Sequence, residues 1–180
     1  MSSALKRHPR FAPAGDDLFI EVEVGRDRVF AAFSPRGVSL VQPAPDATTF
    51  EQAFRIRFGR DIAPADAEDH PDLVEALRTG DCELIDFDLE GVSTFTRRVL
   101  DAASQIPRGE TRSYQWLALH VGMPSAARAV GNALGANPLP ILIPCHRIVR
   151  GDGSLGGYAF GPAMKQNLLE AEGAAIAAPA

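Results

Sequence analysis

Cysteine is nearly absent from the 180-residue sequence: Cys82 and Cys145 are the only two. Two thiols cannot build a disulfide framework, so a reducing, cytoplasmic setting is the default expectation. The four histidines, His8, His70, His120 and His146, are scattered, and neither cysteine has a partner at metal-ligand spacing. That pattern argues against zinc, and no metal or cofactor is expected. Long apolar runs are missing too; none approaches the roughly 18 residues of a membrane span. The N-terminal MSSALKRHPRFAPAG is basic and Pro/Ala-rich but has no hydrophobic stretch. It reads as a loose arm over residues 1–15, not a signal peptide. Internal repeats are also lacking.

Apolar residues make up 46% of the chain and charged residues 23%, as in a globular protein with room for a real core. The net charge of −5 hides an asymmetry. Residues 1–90 hold 10 Lys/Arg against 18 Asp/Glu, a net of −8, and residues 91–180 hold 8 against 5, a net of +3. Seven arginines between positions 97 and 150 face only Asp101 and Glu110. Either the basic half meets a polyanion, or the split is incidental surface charge.

LFIEVEV (18–24) alternates apolar and charged residues and reads as a half-buried strand. GRDR and SPRG are turns that lead into VFAAF and VSLV, giving an antiparallel meander. Thr48 with Glu51 three residues on is a capping-box signal for a helix through Phe50, Phe54 and Phe58, stopped by Gly59. HPDLVEALRTG is a second helix with Pro71 near its start and Gly80 past its end. LIDFDLEG returns to alternation and is expected to be a strand, with Cys82 an ordinary structural thiol. Residues 16–90 therefore form a small α/β domain, and nothing in them looks catalytic.

After Gly91 the pattern turns helical. Phe95, Val99 and Ile106 recur at helical spacing. SYQWLALHV, the turn GMP (122–124) and SAARAVGNAL, with Ser125 as cap, make a helix-turn-helix pattern, which many helical pairs share. Then come NPLPILIPCHRIV, the glycine-rich RGDGSLGGYAFG, and a last helix from Pro162 to Gly173. The tail, residues 174–180, is expected to fray. Cys145 follows Pro144, which stiffens the approach, and precedes His146 and Arg147. Neighbouring cations and partial burial tune a thiol toward reactivity. The same pair also fits a buried thiol beside a satisfied core histidine. In the second helix, Arg128 projects from Ala126, Ala127, Ala129 and Gly131. Small residues suit the DNA minor groove, about 6 Å wide, and a long cation there could fill the gap left by an extruded base. The alternative is an ordinary packed helix with one solvated arginine.

Residues 91–173 resemble the methylated-DNA–protein-cysteine methyltransferases, which repair O6-alkylguanine. The resemblance is carried by FTRRVL, GETRSY, ARAVGNA, NP, IPCHRIV, GGY and K…LL..EG in register. It implies a mainly α, winged-helix-like DNA-binding domain over 91–173. FRIRFGRDI and the strand pattern give a weaker likeness of residues 16–90 to the family's ribonuclease-H-like N-terminal domain. The implied reaction is a single, stoichiometric transfer of the alkyl group from O6-alkylguanine, or O4-alkylthymine, in double-stranded DNA to Cys145. The implied protein is a monomer that acts from the minor groove.

The resemblance also implies roles. Cys145 is the nucleophile, His146 takes its proton and Glu172 holds His146. Tyr114 donates to the guanine ring, and Asn137 is the hinge before the cysteine segment. Arg128 replaces the flipped nucleotide. Pro140, Ile148, Tyr158 and Ala159 line the pocket. Thr96, Ser113, Gln115, Ala127 and Ala129 touch the DNA. Some members carry a hydroxyl where Ala159 stands, and others a glycine where Phe160 stands, which leaves the tolerance for large alkyl groups open. The competing reading from another class is a sensor that recognises alkylated guanine and recruits other proteins without reacting. Relatives of that kind lack the cysteine.

Overall fold

A computed structural model describes residues 17–175. The arm expected over 1–15 lies outside the described residues, as does the tail from 176 on. The chain divides into two compact units, residues 1–90 and 91–180. Among the described residues no helix is long and apolar enough to cross a membrane.

In the first unit, β1 (Leu18–Val24), β2 (Asp27–Ser34) and β3 (Gly37–Pro43) pair antiparallel in sequence order. The alternation in LFIEVEV works as expected: Ile20, Val22 and Val24 are buried, while Glu21 and Glu23 are exposed. Helix α1 (Ala47–Phe58) packs Phe50 against Phe19 and Phe30, with ring centroids 5.4 and 5.2 Å apart. Helix α2 (Pro71–Thr79) buries Leu73, Ala76 and Leu77.

Three details depart from expectation. The cap of α1 is Asp46, whose carboxylate accepts from the Thr49 amide at 2.7 Å, so Thr48 lies inside the helix and not at its cap. A carboxylate two residues earlier offers a stronger acceptor to the open amides. LIDFDLEG is not a strand. It runs beside β3 through Val38 N–H to Asp86 O and Asp88 N–H to Val38 O, both 2.8 Å, and forms a single bridge at Phe87. An unread strand, β4 (Ala63–Pro64), instead lies parallel to β1. It is two residues long and exposed, so it has no hydrophobic pattern to read.

The second unit is mainly helical: α3 (Thr94–Ala103), α4 (Tyr114–His120), α5 (Ala127–Gly135) and α6 (Pro162–Ala171). Val99, Leu100, Leu117, Val130, Leu139 and Leu169 are buried in it. Ser93 caps α3 and Ser113 caps α4, each through its hydroxyl. The expected cap Ser125 does not cap α5; that helix starts after Ala126 with no side-chain cap. The turn between α4 and α5 is fastened from α4, where Gln115 Nε2 donates to Pro124 O at 2.8 Å. The short strands β5 (Arg112–Ser113) and β6 (Ile148–Val149) pair in parallel. This pairing sets up the site. Tyr114 directly follows β5, and the tight turn Cys145–Arg147 directly precedes β6.

Candidate active site around Cys145

Cys145 opens a 3-10 turn behind Pro144 and is 7% exposed. It lines a cavity of about 530 Å³ together with Tyr114, Arg128, Arg150, Tyr158 and Ala159. Glycines shape the walls. Gly156, at φ +68°, leaves room for Tyr114, since a Cβ there would stand 3.1 Å from the phenol oxygen. The phenol donates to Gly157 O at 3.3 Å.

Asn137 ties the sulfur to the chain that leads into it. Its Nδ2 donates to Cys145 Sγ at 3.2 Å and to Ile143 O at 3.0 Å, while its Oδ1 accepts from Leu139 N–H at 2.9 Å. The span so fastened contains Ile141, buried and at φ +77°. A β-branched residue in that region carries strain of about 1–3 kcal/mol, sustained only where surroundings over-determine the backbone. Burial pushes the Cys145 thiol up from its ordinary value, against the Asn137 hydrogen bond and the Lys165 charge, which favour the thiolate.

Behind the cysteine lies a buried ionic group. His146 Nε2 is 3.0 Å from Glu172 Oε1, and both side chains are almost wholly enclosed. Arg147 forks onto the same carboxylate, with Nε to Oε2 at 2.9 Å and Nη2 to Oε1 at 2.7 Å, and its Nη1 donates to Ile106 O at 2.6 Å. Burial alone would raise the Glu172 pKa, but the His146 and Arg147 hydrogen bonds outweigh it and hold the carboxyl down at about 2. An ionised carboxylate only accepts, so the hydrogen of a neutral His146 sits on Nε2. Nδ1 is then a lone-pair acceptor, and it is buried without a hydrogen-bond partner among the described residues. Burial lowers the His146 pKa, with Glu172 opposing, which keeps the ring neutral and its Nδ1 lone pair free to accept.

A solved structure, Mycobacterium tuberculosis OGT in complex with DNA, overlays this fold with a TM-score of 0.69 and 32% sequence identity, over 87% of this chain and 92% of that one. The chain belongs to the O6-methylguanine-DNA methyltransferase family. The family model for "6-O-methylguanine DNA methyltransferase, DNA binding domain" matches residues 94–174. The Escherichia coli K12 "Bifunctional transcriptional activator/DNA repair enzyme Ada" is 39% identical over 173 residues, 91% of this chain and 48% of that protein. A Mus musculus methylated-DNA–protein-cysteine methyltransferase is 53% identical over 89 residues, 48% of this chain and 42% of its own length. The chain spans about half the length of the curated relatives it matches.

The other residues named from the sequence of this family member fall into four groups. Ala127, Arg128, Tyr158 and Ala159 line the cavity. Pro140 and Ile148 are buried and stand outside its lining. Thr96, Ser113 and Gln115 are engaged locally: Thr96 Oγ1 accepts from Ser93, Ser113 Oγ from Trp116 N–H, and Gln115 donates to Pro124. Ala129 is exposed on α5.

Sequence reasoning missed Lys165. It is wholly buried, donates to Ile148 O and to Gly157 O, and stands 6.0 Å from the Tyr114 ring centroid. Burial lowers its pKa to about 8. A lysine on a helix reads as a solvated surface residue, and only its place in K…LL..EG marked it. The structural weight of Arg147 was likewise invisible, because its partner Glu172 lies 25 residues on.

Proposed function

We propose that this protein repairs alkylated DNA by moving the alkyl group from O6 of guanine to Cys145, once per molecule. The observation that carries this reading is a thiol at the wall of a base-sized cavity, with an amide donor on its sulfur and a buried imidazole–carboxylate pair beside it. His146 Nδ1 accepts the thiol proton through a water, and Glu172 holds the resulting imidazolium, as in other base-activated nucleophiles. The thiolate attacks the alkyl carbon: the S–C bond forms, the C–O6 bond breaks, and its electron pair leaves with guanine. Tyr114 donates to a ring nitrogen of the departing base and offsets its negative charge. The proton taken from sulfur is matched by the one guanine regains, so no cofactor is needed. The thioether has neither a proton to lose nor a good leaving group.

In the same reading, α4, the turn and α5 form a helix-turn-helix. The second helix enters the minor groove on Ala127, Ala129 and Gly131, and Arg128 takes the place of the extruded nucleotide. Thr96, Ser113 and Gln115 meet the DNA backbone, and Asn137 is the hinge into the cysteine segment. The protein acts as a cytoplasmic monomer on double-stranded DNA.

The test is an oligonucleotide duplex carrying O6-methylguanine, followed by intact mass and peptide mapping. One methyl per protein at Cys145, and none in Cys145→Ser, is the expected result. Turnover beyond one equivalent, or label on Cys82, overturns the mechanism. Binding without transfer would leave the non-reacting sensor.

A further inference from the structure

The cavity beside Cys145 carries an unbalanced charge. Arg128 enters its wall from α5 and Arg150 from the end of β6, and none of the lining residues is acidic. Lys165 adds a third cation behind Tyr114. Among the described residues, neither Arg128 nor Arg150 makes an ion pair. Cations gathered around one opening repel each other, and an arriving anion removes that cost.

Arg150 is placed by its own surroundings. Its amide donates to Ser154 O at 2.8 Å and its carbonyl accepts from Gly153 N–H at 3.0 Å, which fixes a tight turn. Its stem packs where Gly156 leaves space, as a Cβ on that glycine would be 3.4 Å from Arg150 Cγ. The acid in this turn, Asp152, feels the Arg150 charge but spends its hydrogen bonds on Ser154, accepting from its N–H at 2.9 Å and its Oγ at 2.7 Å, and makes no ion pair with Arg150. The guanidinium is thus held at an exposed rim by its stem, without a carboxylate bonded to it.

We propose that Arg150 clamps a backbone phosphate flanking the nucleotide drawn into the cavity, from the β6 side, while Arg128 fills the vacated stack from α5. The inference rests on the alkyltransferase reading above. A base can enter a pocket of this size, but its flanking phosphates must stay at the mouth, because burying them unpaired is prohibitive. The planar guanidinium fork matches a phosphate, and such contacts fix register without reading sequence.

The experiment compares wild type with Arg150→Ala, Arg150→Gln and Arg150→Lys on an O6-methylguanine duplex and on O6-benzylguanine as free base. Arg150→Gln keeps much of the stem that packs at Gly156, so it guards against a folding artefact. Loss of one charge-assisted bond should slow transfer from duplex about tenfold more than transfer from free base in both the Ala and Gln variants. The slope of log affinity against log salt should fall by about 0.9, and Arg150→Lys should restore it. Equal losses on the two substrates, or an unchanged salt slope, overturn the proposal. If wild type transfers from neither substrate, the alkyltransferase reading itself fails and this inference with it.

Discussion

Replacing Asn137 with alanine separates the chemistry of Cys145 from the architecture around it. One side-chain amide does two things here. Its Oδ1 and one Nδ2 bond fasten Leu139 and Ile143, and its other contact is the 3.2 Å donation to Sγ. The architectural loss leaves the buried Leu139 N–H unpaired, at about 1–3 kcal/mol, while Ile143 O keeps the Cys145 N–H at 2.7 Å. A urea titration should therefore show a stability loss of about 2 kcal/mol. The chemical loss is distinct. A neutral donor on a charged acceptor contributes about 1.5–3 kcal/mol. The donor favours the thiolate, so its removal raises the thiol pKa further. The pH profile of single-turnover methyl transfer should shift to higher pH, with a reaction slower by about tenfold or more at pH 7 that recovers at alkaline pH. A slow variant with an unshifted midpoint would refute the reasoning and leave Asn137 a purely structural hinge.

Two further outcomes test the frame of the site and of the first unit. Glu172 is held down at about 2, against an ordinary 4.5. Its stabilisation is therefore complete above pH 4.5 and is lost as pH falls toward 2, a swing of about 3 kcal/mol. Glu172→Gln should lower the urea midpoint at pH 7 by a matching amount, because buried Arg147 loses its counter-charge, and should flatten the acid limb below pH 4.5. Gly37 adopts φ +121°, and a Cβ there would meet Asp86 O at 2.5 Å. Gly37→Ala should cost about 3 kcal/mol in chemical unfolding through backbone strain and overpacking; a loss under about 1 kcal/mol would show that the 86–88 segment yields freely.

What could be read from the sequence follows from the range of the interactions. LFIEVEV and VFAAF are legible because a strand with one or both faces buried writes a local pattern. Cys145, His146 and Tyr114 were marked by ordered motifs, and the chain does bring Cys145 and Tyr114 to one cavity. Alternation misled at LIDFDLEG, since apolar residues spaced by aspartates suit any extended segment that buries one side. The pairing that builds the site, β5 with β6, spans two residues on each strand and joins positions 36 apart, so no local pattern could announce it. Lys165 and Arg147 were hidden for the related reason that a buried cation is defined by distant carbonyls and carboxylates.

The burial of Cys145 looks at first like a handicap for a nucleophile, because desolvation favours the thiol over the thiolate. In the proposed reaction the same burial also acts on the product. Each pKa unit of desolvation makes the charged sulfur about 1.4 kcal/mol more costly, and S-alkylation replaces it with a neutral thioether that the apolar surroundings accept. The environment that limits the thiolate population therefore adds to the driving force of transfer and opposes its reversal. Asn137 and Lys165 offset the entry cost only while the sulfur is charged. Once the sulfur is alkylated, the amide keeps its bonds to Ile143 and Leu139, but the bond to sulfur weakens, because a thioether is a poor acceptor. A site that turned over many times would need a way to regenerate its thiolate, by a water or a second nucleophile reaching the S–C bond. The chain instead keeps Cys145 only 7% exposed behind a strained, fastened segment, and in the proposed reaction single use follows from that enclosure.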